Sequence, residues 1–417
     1  MDIVPKAGLL PVDFLLPAGI DLQKWSVIAC DQFTSEPDYW NRVESFVGNQ
    51  PSALHAILPE IHLEKPDTED RILKVNQTMS AYLDQGLFVR HNGYVYIKRI
   101  LNNGMERKGL LGVIDLEDYS FKAGKSCKAL IRSTEGTVPE RIPPRVAIRQ
   151  NAPLEFSHTI LLYDDPENIV IDTIESRKNE LELLYDFELM ENGGHISGWL
   201  VDRDDGAEVQ SAFGVLSERS PLLFAVGDGN HSLAAAKTCY SNLKKHMPKK
   251  KYLVHPARYA LVEAINIHDP AMEFEPIHRI VFDIDPDHLI SELDKFFAKG
   301  RTRKKLNTTH VFRYITSGGH GECTAEDTGF TLPVAALQHF LDYYVSANGG
   351  RIDYIHGDQN LETLSSRPGA IGFLLPPIDK GSFFKAVITD GSFPRKTFSC
   401  GNAEDKRYYL ECRKITL

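Results

Sequence analysis

No Cys-x-x-Cys pair occurs in this 417-residue sequence, and its six cysteines (Cys30, Cys127, Cys239, Cys323, Cys400 and Cys412) stand far apart. That scatter signals neither a zinc site nor a thiol redox motif, and it fits free thiols in a reducing compartment. No apolar run approaches the roughly 18 residues of a membrane span. Met1 to Leu16 lacks the basic stretch, apolar core and small-residue cleavage site of a secretory leader, so a cytoplasmic location with no membrane partner is expected. Excess positive charge is missing too. The formal net charge is -10, which argues against general nucleic-acid binding. There is no internal repeat and no low-complexity tract.

What is present is an ordinary globular composition, 42% hydrophobic and 25% charged, long enough to bury a large core without staples. Trp25 to Ala29 reads as a buried strand running into a Cys30-Asp31-Gln32 loop. Pro37 then opens a helix through Phe46. Ile72, Val75, Met79 and Leu83 recur at helical spacing up to Gly86. Tyr94 to Leu101 and Leu110 to Ile114 flank Asn103-Gly104 as a hairpin. Ile131 to Asn151 shows no strong periodicity until its end. Ser157 to Tyr163 predicts a strand, Glu180 to Met190 a helix, Leu222 to Val226 a short apolar strand and Leu233 to Met247 a helix. Tyr259 to Ile267 predicts a further strand, in which Glu263 and Asn266 are paired inside the core. Helices follow from Pro286 to Gly300 and over Val334 to Ala347, with strands and turns after Phe373. The whole predicts a mixed α/β (α+β) protein with an N-terminal α/β region (1–108), a core (109–290) and a C-terminal α+β region (291–417).

The strongest local chemistry lies where the strand Leu222 to Val226 meets Gly227-Asp228-Gly229-Asn230-His231-Ser232 and then a helix. Glycines permit a sharp turn and a close ligand. The first amides of a helix have no partner within it, and with the helix dipole they favour an anion. Asn230 or Ser232 can cap the helix, His231 adds a donor or a proton, and Asp228 stands at the strand end. The segment is not a Walker loop, because Gly-Lys-Ser/Thr is absent. It lacks the third glycine of a dinucleotide fingerprint. The plainer alternative is a capped turn with a structural aspartate.

A second cluster is Arg132, Arg141 and Arg145 around Ser133-Thr134-Glu135-Gly136-Thr137. Guanidiniums there can hold phosphate, and Glu135 can serve as a base or a metal ligand. A solvated loop with surface ion pairs is the alternative. His278 and Arg279 at a strand end, and Arg395 and Lys396 in a basic turn, complete the candidate ligand-binding set.

These landmarks, together with Ala53-Leu54-His55-Ala56-Ile57-Leu58-Pro59-Glu60, occur in the order found in domain-of-unknown-function family 1015, which the chain resembles over nearly its whole length. That family carries Asp-Gly-His-His-Arg where this chain has Asp228-Gly229-Asn230-His231-Ser232, and His-Glu-x-Thr where this chain has Thr134-Glu135-Gly136-Thr137. The box in turn resembles the ParB/sulfiredoxin-like superfamily, whose members include kinases of free serine. The resemblance implies a ParB/sulfiredoxin-like core with elaborations at both ends. It also implies Glu135 and Asp228 as catalytic carboxylates and ligands for Mg²⁺, with His231 assisting. Sulfiredoxin chemistry needs a cysteine where Asn230 stands, so that branch is not expected.

The function expected is phosphoryl transfer between ATP, ADP or pyrophosphate and a small hydroxylated metabolite, with serine as first choice. The alternatives are a non-catalytic nucleotide-binding regulator and a phosphoserine-type phosphatase. A small molecule is the expected partner, with a homodimer left open.

Overall fold

The computed structural model describes residues 8–122, 127–156, 158–298 and 308–417. Two large sheets and a two-stranded one, Val27–Ile28 with Tyr408–Tyr409, organise them. The largest has twelve strands. Its path runs from Tyr119–Ser120 through Ile131–Arg132, Phe224–Asp228, Ile160–Tyr163, Tyr259–Asn266, Glu106–Asp115, Phe88–Ile100, Val12–Pro17 and Cys412–Lys414 to Leu154–Phe156, while His195–Val201 and Glu182–Glu188 branch from Phe88–Ile100. The sheet is mixed. Phe224–Asp228 lies parallel to Ile131–Arg132 and antiparallel to Ile160–Tyr163, which is itself parallel to Tyr259–Asn266. The second sheet, of six strands, is built from Phe274–Phe282, His310–Thr316, Gly319–Ala325, Arg351–His356, Ala370–Leu374 and Phe398–Cys400. No helix among the described residues is long and apolar enough to cross a membrane.

Most predicted elements form, for the reasons their patterns give. The hairpin pairs Ile100 with Glu106 around Gly104, whose φ of 79° suits glycine. Pro37–Val47, Thr68–Asp84 and Pro333–Asn348 are helices; each buries an apolar stripe, and the first and last have proline in the first turn, where no amide partner is lost. The helix from Pro286 runs to Ala298, and its expected stop at Gly300 lies outside the described residues, as does Ser157 at the start of the strand Ile160–Tyr163. Glu263 and Asn266 are core residues with partners. Glu263 pairs with Arg407, and Asn266 accepts the amides of Asp165 and His268 while donating to the Asp165 carbonyl at 2.7 Å.

Three expectations fail, and the end of the segment 131–151, for which no element is predicted, forms a helix. Glu182–Glu188 is a strand, not a helix, and pairs with His195–Val201. Its Leu and Glu residues favour helix, but Tyr185, Phe187 and Leu189 repeat every second residue, and Gly193-Gly194 closes the hairpin. Trp25 ends a short helix, Leu22–Trp25, whose cap is Asp21; only Val27–Ile28 is strand. Ile142–Arg149 is a helix despite Pro143 and Pro144, because both prolines sit in its first turn. Lys380–Asp390 is also a helix, burying Phe383, Phe384, Ala386 and Val387.

The chain's last strand is inserted in the large sheet between Val12–Pro17 and Leu154–Phe156, so residues from the 1–108, 109–290 and 291–417 segments share one sheet. A buried charge network fastens this return. Arg407 pairs with Glu263 on the central strand and with Glu411 at 2.5 Å, and Tyr185 donates to Glu411 at 2.5 Å. Removing one partner of such a network leaves a buried charge uncompensated. Arg407→Ala, which strips the shared cation from both Glu263 and Glu411, is therefore expected to lower unfolding stability by about 3–5 kcal/mol, read as a drop in the urea midpoint with an unchanged slope.

Candidate functional site

The strand Phe224–Asp228 delivers Asp228 to the edge of a cleft, and Gly229 turns the chain into the helix Asn230–His246. Gly229 has φ 81°, and a Cβ there would stand 2.9 Å from Thr159 Oγ1, so the position needs glycine on two counts. The missing Cβ of Gly227 faces Leu162 of the neighbouring strand instead. No side chain caps the helix, contrary to the expectation for Asn230 or Ser232. The Gly229 amide is taken by Asp228 Oδ1 at 2.9 Å. Among the described residues, the backbone amides of Asn230, His231 and Ser232 meet no acceptor. They remain open to a ligand.

The cleft in front of them holds about 290 Å³. It is lined by the carboxylates Asp31, Glu135 and Asp228, by the cations Arg141, Arg145, Lys396 and Lys406, and by Gly227, Gly229, Asn230, His231 and Ser232. Glu135 reaches it because the box straps down its loop. Asn230 Oδ1 lies 2.6 Å from Ser133 Oγ and accepts the Thr134 amide, while Thr134 Oγ1 donates to the Val226 carbonyl at 2.6 Å. His231 Nε2 accepts the Val138 amide at 3.2 Å, which places the imidazole proton on Nδ1. The Thr134 carbonyl in turn accepts the amide of Phe393, tying the basic turn to the same loop.

The charges are sorted by environment. Burial raises the Asp228 carboxyl above the ordinary carboxylate range, and nearby Asp31 adds to this against the pull of Lys406 and His158. Oδ2 of Asp228 is buried with no partner among the described residues. Burial raises Glu135 as well, with Asp228 adding to it and the Lys396 amide, Arg279 and Lys406 opposing. For Asp31, burial is outweighed by His158, Gln32, Lys406 and Arg145, which hold it below the usual range. Burial, then Arg145 and Arg141, push His231 down to about 4, so its imidazole is neutral at physiological pH. Carboxylates with diverging proton affinities in one cleft are the arrangement that acid–base chemistry requires.

Other sequence candidates lie outside the cleft. Arg132 is buried, with Nε donating to the Ala129 carbonyl. His278 donates from Nε2 to Asp358 and accepts the Leu375 amide at Nδ1. Arg279 is fully buried and spends its donors on Gln338 and on the carbonyls of Ile277, Arg395 and Lys396. It shapes the turn that presents Lys396. Arg395 is exposed and acts on the cleft through its charge on His231.

Sequence reasoning missed Asp31, His158 and Lys406. Asp31 follows a recognisable landmark, and His158 approaches it at 3.8 Å while its Nδ1 lies 2.7 Å from Tyr409 OH. Nothing local marks Lys406. Its loop is clamped from behind by Arg99, which donates to the carbonyls of Glu404, Asp405 and Lys406, and by Arg107, which donates to that of Asp405.

The profile of a protein family described as "Protein of unknown function (DUF1015)" matches residues 16–344, most of the chain. The chain belongs to the DUF1015 family. No curated protein matches it. Among solved structures, a free serine kinase variant in complex with ADP aligns at 9% identity and a TM-score of 0.36, over 74% of this chain and 92% of that one. A conserved hypothetical protein from Pyrococcus furiosus aligns at 10% identity and a TM-score of 0.33, over 73% and 95%. SbnI from Staphylococcus aureus, truncated at its C-terminus, aligns at 11% identity and a TM-score of 0.27, over 62% and 83%. These alignments leave the ParB/sulfiredoxin-like core of this DUF1015 chain an expectation from the sequence of its box.

Burial makes the ionised Asp228 unfavourable, and the sign of its pH effect follows. Its folded-state proton affinity exceeds that of the unfolded chain, so its contribution to stability is fully present below the unfolded pKa and is lost as pH rises through the folded value. Asp228→Asn keeps an acceptor for the Gly229 amide and removes the charge. The variant is expected to melt above the wild type near pH 8, with the gap closing as pH falls towards 4; melting curves across that range check it.

Proposed function

We propose that the cleft moves a phosphoryl group to or from a small hydroxylated metabolite. The observation that carries this reading is the set of three unpaired amides, Asn230, His231 and Ser232, at the head of a 17-residue helix beside two carboxylates whose charge burial disfavours. Phosphoryl transfer needs positioning and neutralisation of equatorial charge more than covalent help from the protein. The amides hold donor phosphate oxygens, and Arg141, Lys396 and Lys406 balance their charge, while Arg145 is already paired with Glu60. The acceptor hydroxyl lies against Asp228 or Glu135, which takes its proton as the new O–P bond forms. The old O–P bond breaks with its electron pair going to the departing donor oxygen. A base with a raised proton affinity suits this task near neutral pH. His231 offers the proton on Nδ1 to a phosphate oxygen.

Mg²⁺ fits the donor set. The buried, unpartnered Oδ2 of Asp228 and the nearby Glu135 are hard oxygen ligands, and this ion is commonly held by one or two carboxylates together with phosphates and water. When bound, it would neutralise phosphate charge. Serine is the first acceptor to try, because the box resembles that of the free-serine kinases, and ATP, ADP and pyrophosphate are the donors. A second reading, a nucleotide-binding regulator without turnover, is favoured by one observation: Asn230 spends its side chain on residues 133 and 134, so this part of the box offers a ligand its amide rather than its side chain.

Incubating the protein with each donor, Mg²⁺ and serine or another small alcohol is expected to yield the phosphorylated acceptor, seen by ³¹P NMR. Asp228→Asn is expected to slow it by about 10²–10⁴-fold, and the wild-type rate is expected to fall as acidic pH protonates the raised carboxylates. Binding of a nucleotide with no turnover of any donor selects the regulatory reading; no binding of any donor refutes both.

A further inference from the structure

Beside the cleft lies a second cavity, of about 120 Å³, which shares Arg145 and Ser232 with it. Its walls are apolar, formed by Leu58, Met79, Ile148, Leu154, Ala236 and Leu261. The charged end of this cavity does not balance. Glu155 Oε1 accepts from Arg149 Nη1 at 2.6 Å, and Glu155 Oε2 accepts from Arg413 Nε at 2.6 Å and from the Leu261 amide. Two guanidiniums therefore share one carboxylate, leaving one positive charge in excess. Arg413 spends Nη2 on the carbonyls of Pro256 and Tyr259. Arg149 Nη2 differs: it is buried and has no partner among the described residues. Arg145, at the mouth shared with the cleft, is neutralised by Glu60. A buried guanidinium donor left unpaired is costly, and an anionic acceptor that arrives with a ligand is the simplest way to satisfy it.

We propose that this cavity holds the apolar body of a hydroxy acid, with its carboxylate on Arg149 and its hydroxyl reaching the cleft beside Ser232 and Asp228. This rests on the phosphoryl-transfer reading and names the class of acceptor. Arg145 and Arg149 are one helical turn apart, about 6 Å along the axis, so a molecule that touches both ends spans more than serine does. Apolar walls supply affinity in proportion to the surface they cover, and the single charged contact fixes direction. The acceptor is then an aliphatic or aromatic hydroxy acid in which several carbons separate the two groups.

The test uses the full chain and three probes, 6-hydroxyhexanoate, 1,6-hexanediol and pyrophosphate, each titrated by calorimetry and followed by melting. The hydroxy acid is expected to bind about ten-fold or more tightly than the diol, the value of a charge-assisted hydrogen bond. Arg149→Gln is expected to erase that preference. Because Arg149 also supports Glu155, Ile148→Trp serves as an independent variant: it fills the cavity from the half-buried helix, and is expected to abolish binding of the hydroxy acid while leaving pyrophosphate binding intact. Equal binding of acid and diol, or acid binding that survives Ile148→Trp, overturns the proposal. Either result with pyrophosphate still bound leaves the phosphoryl-transfer reading standing. Failure of pyrophosphate to bind the wild type removes that reading and this one with it.

Discussion

A helix cannot satisfy its own first amides, and in this DUF1015 protein three of them open into a cleft walled by acids. Negative side chains beside an anion-binding helix terminus would repel the anion unless their charge were controlled. The fold controls each one differently. Asp31 is kept ionised by His158, Gln32, Lys406 and Arg145, whereas Asp228 and Glu135 are pushed towards the protonated form by burial. In the proposed reading, the lysines and arginines on the rim set a field that favours an incoming phosphate, the helix terminus fixes where the anion sits, and the buried acids fix where a proton can go.

The cleft owes its shape to arginines that never enter it. Arg279 gathers the carbonyls of Ile277, Arg395 and Lys396, and Arg99 and Arg107 gather those of residues 404–406. A planar guanidinium carries five donors in a fixed fork, against three on a lysine ammonium, so it can hold several carbonyls in set directions. Each clamp presents one lysine to the site, Lys396 from the first and Lys406 from the second. Asn230 and His231 play the matching part on the opposite wall, binding the loop of Glu135 through an amide and an imidazole nitrogen.

Legibility in the sequence followed the range of the interactions. The strand, glycine turn and helix around Asp228 could be read because their signals lie within a few residues of each other. Glu135 could be read as a partner because arginines surround it in sequence, and the ordered family landmarks joined it to the box. Arg279 looked like a ligand for the same local reason, yet its target is backbone contributed more than a hundred residues later. Lys406 carried no signal, since its placement depends on Arg99 and Arg107 roughly three hundred residues earlier in the chain. The strand Glu182–Glu188 was hidden by helix-favouring residues that pairing with His195–Val201 overrides.

The central claim is that the amides of Asn230, His231 and Ser232 are the anion seat. Backbone amide NMR of the perdeuterated protein during titration with inorganic pyrophosphate tests it most directly. The account predicts saturable shifts largest at those three amides and weaker ones at the rim. Binding that moves distant amides while these three stay still would contradict it.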